Sequence, residues 1–94
     1  MNETIDLIRH NLTTQLKPEL LEIIDNSAAH AGHAGAQKGG GHYNVTIVSD
    51  AFEKKTLVQR HQLIYSALGD MMKQDIHALG INAQTPIEHS KESN

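Results

Sequence analysis

At 94 residues the chain has room for one domain and one modest core. With 38% apolar and 20% charged residues it has the balance of a globular rather than a disordered chain. A net charge of −3 argues against broad electrostatic attraction to nucleic acid, and the absence of cysteine excludes disulfides, a thiolate nucleophile and any self-sufficient thiolate metal site.

The N-terminus MNETIDLIRHN carries early acidic residues and no apolar run, which is the pattern of neither a signal peptide nor a transit peptide. No stretch approaches the ~20 apolar residues that span a bilayer. The expected compartment is the cytoplasm, with no membrane contact.

Residues 3–16 read as an amphipathic helix, because Ile5, Ile8, Leu12 and Leu16 recur at spacings of three and four. Glu3 and Asp6 suit its N-terminus, and Pro18 stops it by biasing residue 17 away from helical backbone. Residues 20–26, with the run LLEIID, read as a strand. A loop from His30 to His42 follows, HAGHAGAQKGGGH, holding three of the seven histidines and five of the seven glycines. Loops of this length are functional or disordered, and imidazoles on glycine-rich backbone are a candidate metal contact. The competing reading is an idle connector.

Residues 42–49, HYNVTIVS, give the strongest strand signal, with Tyr43, Val45, Ile47 and Ser49 on one face. Two strands joined by one loop pair antiparallel most simply. Residues 50–56 form a turn, with the single phenylalanine, Phe52, as a core anchor. Residues 57–73 form a second helix whose stripe is Leu57, Ile64, Leu68 and Met71, with His61, Tyr65 and Met72 on or beside it. Gly69 interrupts that stripe at a cost of ~1 kcal/mol relative to Ala, which marks a break before a short continuation over 70–76. Residues 77–85 alternate as a third strand, Leu79, Ile81 and Ala83 facing the core. Pro86 ends it, leaving 88–94 as a flexible tail.

The order helix, strand, strand, helix, strand predicts an α+β domain, αββαβ, with a three-stranded mixed sheet and helices on one face. One domain covers 1–94, with its core at about 3–87.

Few residues carry chemistry. The run Gly39–Gly41 lacks phosphate-loop spacing, so it is hinge backbone, and no nucleophile or paired-carboxylate set supports an enzyme. His30 and His33 lie three apart, and His77 opens the third strand at the rim of the sheet. Imidazole suits iron, zinc and copper alike. The alternative for His77 is a boundary histidine bonded to a backbone carbonyl. His61 reads as a structural histidine, His10 and His89 as solvated, and His42 as the first residue of its strand. Lys54, Lys55, Arg60 and Lys73 form a mild basic patch around the second helix, and residues 51–69 carry three basic residues against Glu53. Without an aromatic stacking platform that patch is more simply a solvated face.

Taken together, HYNVTIVSDAF, LVQRHQLIYSAL and IHALGINAQTP resemble the BolA family, over roughly residues 3–87. The loop HAGHAG is similar to the histidine type of that family's variable loop. The resemblance implies a fold topologically like type II KH domains and a non-enzymatic partner of monothiol, CGFS-type glutaredoxins. It also implies a 2Fe–2S cluster bridged between the two proteins, the glutaredoxin and its glutathione supplying thiolates. This chain would supply His77 and one loop histidine, His30 or His33, with His42 as a third candidate, and would carry no cluster alone. Alone it is expected to be a monomer or weak homodimer. The family also includes DNA-binding regulators, but the only GxxG, Gly32–Gly35, lies between the first two strands, away from the place a KH domain uses. A third expectation is a cluster-independent protein-interaction module.

Overall fold

A computed structural model of the chain describes residues 3–26 and 41–92. In order these form α1 (Glu3–Leu16), β1 (Leu20–Asp25), β2 (Gly41–Val48), a 3₁₀ turn (Asp50–Phe52), α2 (Leu57–Leu68), α3 (Met71–Gln74), β3 (Ile76–Gln84) and α4 (Pro86–Glu92). The sheet order is β1-β2-β3, β1 antiparallel and β3 parallel to β2. This is the mixed sheet read from the sequence. No helix among the described residues is long and apolar enough to cross a membrane.

The apolar stripe of α1 lies where its spacing places it, with Ile8, Leu12 and Leu16 buried and Ile5 at the margin of the core. Lys17 closes the helix in left-handed backbone (φ +47°), its N–H donating to the Thr13 carbonyl at 3.1 Å. The core continues through Tyr43, Val45 and Ile47 of β2, Phe52, and Ile64 and Leu68 of α2. Ser49 ties two parts together: its hydroxyl donates to the Leu16 carbonyl at 2.6 Å and accepts from the Ala51 N–H at 3.1 Å.

α2 begins with a reciprocal cap, the Thr56 N–H donating to Gln59 Oε1 and the Gln59 N–H to Thr56 Oγ1. Its buried stripe starts at Arg60, not at Leu57, which is 66% exposed. The inward place at this end is filled by the Arg60 guanidinium, which donates to the carbonyls of Lys55 and Ala83, each at 3.1 Å. Gly69 ends α2 at φ +56°, a backbone state that glycine adopts without steric cost, and α3 follows as a single turn.

The larger correction is at the C-terminus. Residues 86–92 are helical, so the expected tail is a fourth helix over most of its length; 93–94 lie outside the described residues. Thr85 and Glu88 cap it reciprocally, the Thr85 N–H donating to Glu88 Oε1 at 3.0 Å and the Glu88 N–H to Thr85 Oγ1 at 3.2 Å. Pro86 holds the first helical position, where a missing N–H costs nothing. Arg60 then grips Glu88 with both terminal nitrogens, at 2.7 and 3.0 Å.

This grip, together with the Thr85 N–H, holds the Glu88 carboxyl at about 2, below its ordinary 4.5. A folded-state value below the unfolded one stabilises the fold above the ordinary carboxylate range, and that contribution is lost as pH falls through about 2. Urea unfolding of the native chain and of Glu88→Gln should therefore differ most near neutrality, and the two curves should converge between about pH 4.5 and about pH 2. A constant separation across that window would exclude Glu88 as the source.

Candidate metal centre

Parallel pairing brings the first residues of β2 and β3 together at one end of the sheet. The ladder runs evenly from His42↔Ala78 to Val48↔Gln84, but Gly41 pairs with Ile76, so His77 is an extra residue on β3. A bulge of this kind re-aims side chains. Ile76 stays in the core at 3% exposure while His77 is exposed, and the His77 ring comes within 5.1 Å of the His42 ring, centroid to centroid, tilted by 40°. The main chain is fixed on either side of this pair, the Asn26 N–H donating to the His42 carbonyl at 2.7 Å and the Gly41 N–H to the Asp75 carbonyl at 3.0 Å. Gly41 belongs to β2 rather than to a hinge, and a Cβ there would sit 2.6 Å from the end of the Tyr43 ring, so a larger residue would displace that ring.

His77 and His42 are thus brought together, while His30 and His33 lie outside the described residues. His42 carries the least weight in the sequence because it reads as an ordinary strand residue. The signal that raises it is positional, since two strands that start side by side align their opening histidines. Two imidazoles furnish two nitrogen donors, and no group of three or more His, Asp or Glu side chains capable of holding a metal occurs among the described residues. The pair is therefore a partial donor set, and a metal held there needs further ligands from outside the described residues.

The other histidines are placed differently. The half-buried His61 ring lies edge-on to the exposed Tyr65 at 6.4 Å. His89, expected to be solvated, is half-buried with Nδ1 3.4 Å from Gln84 Oε1. Within the basic set, Lys54 and Lys55 are exposed and Lys73 lies 3.9 Å from Asp70 in a solvated pair. Arg60 is 7% exposed and fully engaged with Lys55, Ala83 and Glu88, so the patch loses its one guanidinium.

The pattern of the family described as BolA-like protein matches residues 12–88. The chain belongs to the BolA family. It is 49% identical over 86 residues to SufE-like protein 1 of Arabidopsis thaliana, covering 86% of this chain and 23% of that protein. To BolA-like protein 1 of Mus musculus it is 40% identical over 81 residues, 86% of this chain and 57% of the mouse protein. The Escherichia coli DNA-binding transcriptional regulator BolA is 33% identical over 78 residues, 83% of this chain and 71% of the other. The fold superimposes on the BolA domain of SufE1 from A. thaliana with a TM-score of 0.80 at 46% identity, covering 94% and 96% of the two chains. With the mouse BolA1 structure the TM-score is 0.82 at 33% identity, covering 100% of this chain and 74% of that one. The BolA fold thus spans nearly the whole sequence, although the chain spans only about a quarter to three-fifths of the length of the first curated relatives.

The placement of the basic residues yields a contrast. Arg60→Ala should lower stability by about 2 kcal/mol, through the lost carbonyl bonds and the loosened carboxylate pair. Lys54→Gln and Lys55→Gln should each stay within about 0.5 kcal/mol, as exposed substitutions do. Denaturant titration of the three variants is the check; equal small effects would contradict a structural role for Arg60.

Proposed function

We propose that this BolA-family chain is a non-enzymatic adaptor that binds a monothiol, CGFS-type glutaredoxin and shares a bridging 2Fe–2S cluster with it, in iron–sulfur trafficking or iron regulation. The observation that carries the reading is the pair of imidazoles, 5.1 Å apart at one rim of the sheet, in a chain with no cysteine. Such a chain holds an iron–sulfur cluster only if another molecule brings thiolates, here the glutaredoxin cysteine and glutathione. His77 is the fixed ligand, set by the bulge. The second imidazole is His42 by geometry, or His30 or His33 by likeness to the family's loop. The cluster is cargo rather than a resident group, and the expected compartment is the cytoplasm.

Membership of the family supports this reading, and the engagement of Arg60 weighs against the competing one. That second reading, DNA binding through Lys54, Lys55 and Lys73, draws on the name of the E. coli relative. It requires an affinity that falls steeply with salt and with neutralisation of those lysines.

Mixing the chain with cluster-loaded glutaredoxin should change the visible circular dichroism of the cluster. His77→Ala should abolish that change, and His42→Ala should abolish it only if His42 is the second ligand. Retention of the change in His42→Ala, with loss in His30→Ala or His33→Ala, assigns the loop instead. A signal that survives His77→Ala removes the ligand assignment altogether.

A further inference from the structure

The histidine pair stands at one end of a sheet face turned away from the helices. Tyr43, Val45 and Ile47 of β2 face the core, so the alternate residues of β2 and their partners on β1 and β3 form the opposite face. On that face Ile24, Asn44, Gly80 and Asn82 are all exposed. A recess of about 260 Å³ opens there beside His42, with Asn26, Asn44, Ala78 and Gly80 in its lining.

The chemistry, edge position and size of the recess define what it takes. Among the described residues its lining contains no carboxylate, ammonium or guanidinium group, and its one imidazole, His42, is a candidate cluster ligand, so these residues give a charged occupant no partner in return for its lost hydration. Asn26 and Asn44 each offer an amide that both donates and accepts, the complement of a peptide group. Asn44 lies directly over Gly80, where a side chain would collide with its Oδ1, so the carboxamide rests on the backbone of β3. β3 is also an edge of the sheet, and edge strands take up extended segments through their main chain. The volume falls below the range of about 300–1,000 Å³ typical of sites for free small molecules, which suits one or two residues of a larger ligand.

We propose that this recess is a docking subsite for an extended, uncharged peptide segment of the partner that brings the remaining cluster ligands, seated on β3 next to the histidine pair. The proposal rests on the cluster-sharing function above. It assigns the recess to affinity and the imidazoles to coordination, so the two roles separate experimentally.

Gly80→Val fills the recess and displaces the Asn44 carboxamide, the movable end of a side chain, while leaving both histidines in place. Asn44→Asp keeps the volume and adds a charge, which guards against a folding defect in the first variant. Calorimetric titration with cluster-loaded monothiol glutaredoxin should show each variant binding at least about tenfold more weakly, in the manner of a central contact. At saturating concentration each should give the visible circular dichroism of the unmodified complex. Affinities within about twofold for both variants would overturn the subsite while leaving the function intact. An altered spectrum at saturation would also overturn it, because the recess would then act through the ligands. A native chain that neither binds the glutaredoxin nor changes its spectrum would overturn the function, and the subsite with it.

Discussion

The parallel pairing of β2 with β3 is the constraint on which the rest of the molecule depends. β2 is the inner strand of the sheet, and its Tyr43, Val45 and Ile47 supply the centre of the core. A parallel neighbour cannot be reached by a tight turn, so the chain must travel back along the sheet before β3 begins. The 3₁₀ turn, α2 and α3 occupy that return path, and Phe52, Ile64 and Leu68 bury it against the strands. Parallel strands also start at the same end. His42 and His77, thirty-five positions apart in sequence, meet because the strands start together and the bulge re-aims His77.

The opposite end of the same pair is structural. There the Ser49 N–H donates to the Gln84 carbonyl at 3.0 Å, and the Ser49 hydroxyl holds the last turn of α1. Arg60 reaches the Ala83 carbonyl and, through Glu88, fastens α4 to the end of β3. An arginine this deeply enclosed is tolerable only because its donors are taken up by two carbonyls and a carboxylate. The grip raises the Arg60 pKa, chiefly through the hydrogen bond to Glu88, so the cation persists at every pH at which the fold does. The histidine pair and the anchoring contacts are thereby kept at opposite ends of one strand pair.

Much of this was legible in the sequence, and the gaps have physical causes. The helical stripe of α1, the alternation of β2 and the break at Gly69 are local patterns, and all three were read to within a residue or two. Periodicity treats arginine as polar, so it began the α2 stripe at Leu57 and could not see that Arg60 would be buried by partners 23 and 28 residues away. Pro86 was read only as the end of a strand, although Thr85, Pro86 and Glu88 together spell a capping box with proline at the first helical position. The bulge at His77 was invisible because one extra residue becomes apparent only against the register of its partner strand. His77 is legible because it opens β3, whereas the place of His42 beside it depends on that register.

Backbone order at the rim bears on the proposed sharing of cargo. The Asn26 N–H holds the His42 carbonyl, and the Gly41 N–H holds the residue before it. His77 is the unpaired residue of a bulge between laddered neighbours, so little backbone freedom remains to be lost when both imidazoles engage one ligand. On the cluster-sharing proposal, a pair ordered in this way favours retention of the cargo, and His77 with its bulge would set where that cargo sits.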